Sequence, residues 1–324
     1  MGKHEKKKAS TVEGSKPSRT KFVAISVGIA IAAAIGIGLV SMGNNTPQPS
    51  GSDNSRIVSW IHVHGVGIDP SDSSILYIAT HGDFYQSVDG GVPVKVDKQR
   101  TDYMAFNAPQ TEGVPLYSSG HPSTGGNTGL IKSTDGGQTW QLVSTVLDPA
   151  VDFHAMAVST SDPNTIIGFD SGGRGLYKTT DAGSTWEMFD YPGNYVTALA
   201  IAPNDSKVIF AGTPDGVFQS NDGAASWTQL NQYKGIGVMA LAFDSEGNLY
   251  ASTEEFGLAK SSDLGKTWEN INRPPDNLTA ASIAVDSQNK ILYVAGYAAP
   301  QGYQEVFKGG LDGSDWQLIG TNKA

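Results

Sequence analysis

Histidine is the residue type in this sequence best suited to metal chemistry. Five of the six histidines are candidate metal ligands: His62, His64, His81, His121 and His154. His62 and His64 are two residues apart, so on a strand their imidazoles leave the same side, roughly 7 Å apart along the chain. With a third ligand from elsewhere, such a pair could hold one metal ion. The alternative interpretation is that the histidines line a polar channel mouth or bond to loop carbonyls.

Carboxylates could complete a metal site or carry out acid–base chemistry. Asp83 and Asp152 are candidates for further metal ligands or for groups that orient the ligands. Imidazoles combined with a carboxylate and no thiolate suit Zn²⁺, Cu²⁺ or Ni²⁺. Asp102, Asp170 and Glu254 are weak catalytic candidates, because glycoside hydrolysis needs two carboxyl groups facing across one bond. In a chain this acidic, each of them could equally be a solvated surface group.

Composition excludes several classes of protein. The 324 residues include 39 glycines and no cysteine, which excludes disulfides, thiolate metal sites and a cysteine nucleophile. The phosphate-binding GxxxxGK[ST], the nucleophile-elbow GxSxG and the zinc-helix HExxH motifs are also absent from the sequence. A formal net charge of −10 opposes binding to nucleic acid. The glycine content indicates short strands joined by tight turns.

The amino-terminal part of the chain predicts a membrane anchor. Residues 1–21 carry seven basic and two acidic side chains, and residues 22–42 form an uncharged apolar run. As a helix of about 1.5 Å rise per residue, this run spans the hydrocarbon core of a bilayer. Its basic flank predicts a cytoplasmic N-terminus, with 43–56 as a flexible linker to a domain outside the cell. A cleaved signal peptide and a secreted domain are the alternative.

A repeat must position the histidines and carboxylates. Four copies read Ser/Thr-x-Asp-x-Gly/Ala-x-Thr/Ser-Trp, with their aspartates 41 to 46 residues apart. Their key residues are Asp135 and Trp140, Asp181 and Trp186, Asp222 and Trp227, and Asp263 and Trp268. Degenerate copies occur at Asp89 and at Leu311, which takes the aspartate position. Self-similarity at this period is typical of stacked or radial repeat folds.

These motifs resemble the Asp-box, or bacterial neuraminidase repeat, of the sialidase and sortilin-like propellers. The resemblance implies that each box is a hairpin turn between the two outer strands of a propeller blade, so that its aspartate serves folding. Proteins with this repeat are often labelled glycosyl hydrolases. Sialidases clamp the sugar carboxylate with three arginines, whereas 57–324 contains only Arg100, Arg174 and Arg273, and Arg56 lies in the linker. A true sialidase activity is therefore not expected.

The remainder of each repeat predicts an all-β, six-bladed propeller over 57–324. Six copies of a small/apolar alternation, such as His64-Gly-Val-Gly-Ile68 and His154-Ala-Met-Ala-Val158, fit the crowded innermost strands. We expect the segment Ile57–Trp60 to lie against the last blade and close the ring. Superimposing the repeats places all five histidines on one face and on three adjacent blades.

The sequence predicts a non-catalytic binding protein whose histidine-rich face takes a metal ion, a small molecule or a protein. For a protein ligand, the exposed aromatic candidates are Phe84, Tyr103, Phe256 and Tyr297. A glycoside hydrolase acting on a glycan other than sialic acid is the first alternative. A metal-dependent hydrolase, in which the metal activates water, is the second.

Overall fold

The computed structural model describes residues 56–323 and contains six four-stranded antiparallel sheets. Each sheet is built from four strands that are consecutive in the sequence, so each repeat forms one blade. The prediction of an all-β, six-bladed propeller is confirmed.

The strands of each blade are numbered in chain order. Blade 1 contains β1 (Val63–Ile68), β2 (Ile75–Thr80), β3 (Phe84–Val88) and β4 (Val94–Lys95). Blade 2 contains β5 (Thr101–Asn107), β6 (Leu116–Pro122), β7 (Leu130–Ser133) and β8 (Gln141–Ser144). Blade 3 contains β9 (Phe153–Val158), β10 (Ile166–Asp170), β11 (Leu176–Thr179) and β12 (Glu187–Phe189). Blade 4 contains β13 (Ala198–Ile201), β14 (Ile209–Thr213), β15 (Gly216–Ser220) and β16 (Thr228–Gln229). Blade 5 contains β17 (Val238–Phe243), β18 (Leu249–Thr253), β19 (Gly257–Ser261) and β20 (Glu269–Ile271). Blade 6 contains β21 (Leu278–Asp286), β22 (Ile291–Ala298), β23 (Tyr303–Gly310) and β24 (Gln317–Thr321), and a short 3-10 helix (Pro275–Asn277) precedes it.

The first strands of the six blades surround a central channel. Each of them contacts the first strands of both neighbouring blades, and all six line one cavity of about 420 Å³. Crowding at this centre explains the small residues in the repeat: a Cβ atom on Gly67 would lie 2.5 Å from the Cβ of Ala108 on the next blade. The side chains near the starts of these strands therefore converge on one mouth of the channel.

The hydrophobic core consists of six clusters, one between each pair of neighbouring blades. Between blades 1 and 2, the rings of Phe84 and Trp140 pack edge to face with centroids 5.3 Å apart. Phe84 and Tyr103 are both 0% exposed, so of the two interpretations of these aromatics, packing between blades applies to them and exposure to a protein ligand does not. The interfaces between blades bury these rings, as the alternating apolar pattern of the repeat requires.

Each Asp-box forms a turn that its own aspartate holds together. In blade 2, Asp135 accepts a hydrogen bond from the amide of Thr139 at 2.9 Å and another from the Thr139 hydroxyl at 2.6 Å. The Ser133 hydroxyl donates to Asp135 at 2.8 Å. The boxes of Asp181, Asp222 and Asp263 repeat these contacts. These aspartates lie within the turns that join the outer strands of each blade.

The N-terminal segment of the described chain closes the ring against blade 6, as the sequence predicted. Ile57 forms a parallel bridge with Thr321, and the Val58 amide donates to the Thr321 carbonyl at 2.8 Å. Trp60 is 3% exposed, and its indole Nε1 donates to the Gln304 carbonyl at 3.2 Å. Closure therefore joins the two ends of the described chain.

The predicted membrane anchor cannot be compared with the fold. The predicted segments 1–21 and 22–42, and almost all of 43–56, lie outside the described residues. A search of 56–323 finds no helix with the length and apolarity needed to cross a bilayer.

Candidate metal centre

The first cluster, His64, His81 and Asp102, lies between blades 1 and 2. His64 is near the start of β1, His81 follows β2, and Asp102 is near the start of β5 on the next blade. The Nε2 atom of His64 is 2.9 Å from Asp102 Oδ1, and the Nδ1 atom of His81 is 2.9 Å from Asp102 Oδ2. One carboxylate therefore lies between two imidazoles that belong to the neighbouring blade.

The second cluster, His121, Asp152 and His154, repeats this composition between blades 2 and 3. His121 is on β6, Asp152 directly precedes β9, and His154 is on β9. Asp152 Oδ2 lies 2.9 Å from His154 Nε2 and 3.3 Å from His121 Nε2. His64 and His154 are at equivalent positions of the first and third repeats, and the two clusters lie at successive interfaces between blades.

One short contact in each cluster lacks hydrogen-bond geometry. Within residues 56–323, His64 Nε2 and Asp102 Oδ1 are buried without a hydrogen-bond partner, although they are 2.9 Å apart, whereas His81 Nδ1 and Asp102 Oδ2 form a hydrogen bond. In the second cluster, His154 Nε2 is buried without a hydrogen-bond partner in this part of the chain, 2.9 Å from Asp152 Oδ2, and Asp152 Oδ1 is also unpartnered there. Buried polar atoms in proteins are normally satisfied by a hydrogen bond. Each cluster therefore contains buried donor or acceptor atoms that a bound cation would satisfy.

The separations within the clusters also fit one ion. In each cluster, one ligand atom from every residue lies within 4.8 Å of the others. Ligands bound tetrahedrally at about 2.0–2.1 Å from Zn²⁺ lie roughly 3.3–3.4 Å from one another. In the second cluster, the contact of 3.3 Å matches that separation and the contact of 2.9 Å is slightly shorter.

Neighbouring groups hold the second cluster in its orientation. The Ser171 hydroxyl donates to Asp152 Oδ2 at 2.7 Å, and the Asp152 amide donates to Asp170 Oδ1 at 2.9 Å. His121 Nδ1 lies 3.2 Å from the Gly126 carbonyl, which can only accept a hydrogen bond. His121 can therefore donate from Nδ1 to this carbonyl while its Nε2 atom faces Asp152. Metal-binding histidines commonly have this outer hydrogen bond.

Both carboxylates are ionised at neutral pH. Burial favours the neutral acid, but the imidazoles of His64 and His81 outweigh burial and lower the pKa of Asp102. Burial likewise opposes ionisation of Asp152, and there His154, Ser171 and His121 lower the pKa below its ordinary value. Each cluster thus offers one negative charge together with two imidazole nitrogens.

Several predicted site residues lie outside the two clusters. The His62 side chain is exposed; its ring centroid is 4.7 Å from that of His64, but it supplies no atom to either cluster. Asp83 pairs with Lys95. Asp170 is 1% exposed and pairs with Arg174, and Glu254 is exposed on blade 5. The three weak catalytic candidates therefore lie on blades 2, 3 and 5.

The four arginines of the described chain do not form a clamp. Arg174 donates to Asp170 at 2.9 Å and to the Pro149 carbonyl at 2.9 Å. Arg56 donates to backbone carbonyls at the ring closure, and Arg273 donates to the Glu255 carbonyl on blade 5. Arg100 lies beside the first cluster, against Gly82. The four arginines of residues 56–323 are therefore dispersed over the propeller.

Two cavities flank the clusters. His64 and His154 line the central channel. A separate groove of about 280 Å³ on the surface, which we call the blade-2 groove, is lined by His81, Arg100, Asp102 and His121, among others. Each cluster therefore contributes residues to both the channel and the blade-2 groove.

Comparisons with known proteins show the fold. No family model and no curated protein matches this chain. A GH74 enzyme from Niastella koreensis is similar, with 19% identity over 82% of this chain and 46% of that one, and a TM-score of 0.59. A GH74 xyloglucanase from Xanthomonas campestris gives 18% identity, the same coverages and a TM-score of 0.56. Virginiamycin B lyase from Staphylococcus aureus gives 11% identity over 79% of this chain and 83% of that one, with a TM-score of 0.52.

The matched region spans less than half the length of the two GH74 proteins. At such low identities the likeness establishes the propeller architecture alone. Propellers with one architecture carry many unrelated functions, so function must be argued from the site.

Proposed function

We propose that this protein binds divalent transition-metal ions, one at each of the two clusters, on a propeller that an N-terminal signal anchor displays outside the cell. The observation that carries the proposal is the set of buried ligand atoms that approach closely without hydrogen-bonding. A cation placed between the imidazole nitrogens and the carboxylate oxygens would satisfy these atoms.

The donor set indicates which metals would bind. Two imidazoles and one carboxylate suit Zn²⁺, Cu²⁺ or Ni²⁺, whereas Ca²⁺ and Mg²⁺ prefer oxygen ligands throughout. His64, His81 and Asp102 would hold one ion, and His121, Asp152 and His154 the other. Three protein ligands leave a fourth tetrahedral position open, as in zinc sites that bind water or an exogenous ligand.

Elemental analysis tests the proposal directly. The untagged full-length chain, loaded with Zn²⁺ and dialysed, is expected to retain two ions. His64→Ala and His154→Ala should each retain one, and the double variant none. His62→Ala serves as the matched control and should retain two, because His62 contributes to neither cluster. Failure of the unaltered chain to take up Zn²⁺, Cu²⁺ or Ni²⁺ at micromolar concentration would contradict the proposal.

Membrane anchoring is tested separately. We expect the full-length chain to fractionate with membranes and to expose its propeller to protease added outside intact cells. A chain lacking residues 1–42 should instead appear in the soluble fraction. Recovery of the full-length chain in the soluble fraction, at its unprocessed mass, would contradict the anchor.

A glycoside hydrolase is the second candidate, because two of the similar structures are GH74 enzymes. The propeller fold that this chain shares with them supports the candidate. Asp102, Asp170 and Glu254, however, lie on three different blades, and no two of them form the facing carboxyl pair of a single blade that would be the simplest arrangement for such chemistry. Release of reducing sugar from xyloglucan by the metal-free protein, lost in Glu254→Gln, would favour this candidate over a metal-binding role.

A further inference from the structure

We propose that the blade-2 groove binds a small oxyanion of the phosphate type, held jointly by the two metal ions and by Arg100. This inference rests on the proposed metal binding and extends it to a ligand class.

The two clusters meet on one pair of strands. Asp102 of the first cluster and His121 of the second are direct partners in the register of β5 and β6. Directly opposed residues on antiparallel strands have Cα atoms about 4.5–5.5 Å apart. The two metal sites therefore lie side by side across blade 2, and both contribute residues to the same groove.

Charge in the groove would favour an anion once the metals are bound. Each divalent ion is neutralised by only one carboxylate, which leaves a positive charge at each cluster. Arg100 adds a third positive charge: its side chain is exposed, lines the groove and lies against Gly82, next to His81. In contrast, Arg174 is held by Asp170. Arg100 is thus the arginine placed to receive an anion beside the metal ions.

Coordination and size define the ligand further. The fourth position of each tetrahedral site is open to an oxygen atom from outside the protein. Arg presents paired N–H groups that match the oxygens of phosphate and carboxylate. The groove of about 280 Å³ lies below the roughly 300–1,000 Å³ typical of sites for drug-sized ligands. An inorganic oxyanion, or one such group on a larger molecule, fits these limits.

Titration calorimetry with inorganic phosphate tests the inference on the untagged full-length chain. Zinc-loaded protein is expected to bind phosphate at least tenfold more tightly than metal-free protein. Arg100→Gln should weaken phosphate binding about tenfold while two zinc ions remain bound. Arg273→Gln, which removes an arginine of blade 5 instead, is the matched control and should bind phosphate normally. Acetate, titrated in parallel, distinguishes a site for tetrahedral oxyanions from one for carboxylates.

The outcomes separate this inference from the proposed function. Two outcomes would overturn this inference and leave the proposed metal binding intact. One is zinc uptake without metal-dependent phosphate binding, and the other is an Arg100→Gln variant that binds phosphate normally. Acetate binding as tight as that of phosphate would overturn its phosphate-type specificity. A chain that binds no metal would overturn both proposals.

Discussion

Individual hydrogen bonds hold the residues of the second cluster in their orientation, although the sequence contains no metal-ligand motif. Asp152 is oriented by the Ser171 hydroxyl and by its own amide, which is held by Asp170. His121 is oriented by a backbone carbonyl. Asp170 thus helps to position Asp152, and its catalytic role stays a prediction. No feature of the sequence distinguishes Ser171 as a residue that orients Asp152, because serine is common in turns.

Ser171→Ala should weaken metal binding at the second cluster without abolishing it. Loss of an orienting hydrogen bond to a ligand typically costs about 10- to 100-fold in metal affinity. The measurement is zinc affinity in a His64→Ala background, in which only the second cluster remains. Ser71→Ala removes a comparable hydrogen bond to Asp69 far from the site and should leave the affinity unchanged. Equal affinities for the Ser171 and Ser71 variants would contradict the orienting role.

Glu305 is a buried acid outside the candidate site. It is 2% exposed, one of its oxygens has no hydrogen-bond partner in the described chain, and burial raises its pKa despite a hydrogen bond from Thr321. A raised pKa in the folded state means that the folded protein holds the proton more tightly than the unfolded chain. Stability is therefore lost as pH rises from the ordinary value of 4.5 through the folded pKa.

Glu305→Gln should consequently raise the melting temperature at pH 7, and its advantage over the unaltered protein should shrink as pH falls toward 4. Thermal unfolding across this range measures the difference. Glu255→Gln, on an exposed turn of blade 5, is the control and should give a small, nearly constant difference. A variant less stable than the unaltered protein at pH 7 would show that the carboxylate is stabilising.

The Asp-box turns make the stability of the blades dependent on pH. Hydrogen bonds from hydroxyl and amide groups of each turn lower the pKa of Asp181, Asp222 and Asp263 to about 2, from an ordinary value of 3.8. A lowered folded-state pKa contributes stability above pH 3.8 that is lost as pH falls through about 2. The stabilisation that these turns provide should therefore decline between pH 3.8 and about 2.

The triple variant Asp181→Asn, Asp222→Asn, Asp263→Asn should be less stable than the unaltered protein at pH 7 and should show a flatter loss of stability between pH 4 and pH 2. Denaturant unfolding at several pH values provides the measurement. Asp190→Asn, at an exposed position, should retain the original pH profile. A triple variant with an unchanged slope would mean that other carboxylates control acid unfolding.

Sequence reasoning succeeded where the repeat itself carries the information. Spacing of the boxes predicted six blades, and alignment of the repeats gathered the histidines on one face. The repeat could not show how neighbouring blades pack, and this packing places four of the five histidines in two clusters, each with one aspartate, at the interfaces of blade 2 with blades 1 and 3. Packing between blades also explains why Phe84 and Tyr103 are buried and why Arg100 reaches the blade-2 groove.

For the whole molecule, stability depends on the closure of the ring. Trp60 fills the interface between blades 1 and 6, where its ring packs edge to face on Tyr85 with centroids 5.7 Å apart. It lies so close to Gly320 that a Cβ atom there would be 2.7 Å from the indole. The Trp60 side chain thus contacts both the first blade and the last strand of blade 6.

Trp60→Ala should destabilise the propeller by about 3–5 kcal/mol, the usual cost of removing a buried aromatic side chain. Chemical denaturation gives the difference in unfolding free energy. Trp316→Ala, which removes a partly buried tryptophan between blades 5 and 6, should cost less. Equal losses for the two variants would indicate that the closure contributes no more than any other interface between blades.

The consecutive order of strands within every blade has a consequence for biosynthesis. A ribosome makes blades 1 to 3 first, and all six proposed ligands, His64 to His154, are complete before the second half of the propeller exists. The strand that closes the ring, β24, is made last. All proposed ligands are therefore synthesised before the strand that completes the closed ring, so metal binding and ring closure are separated along the chain.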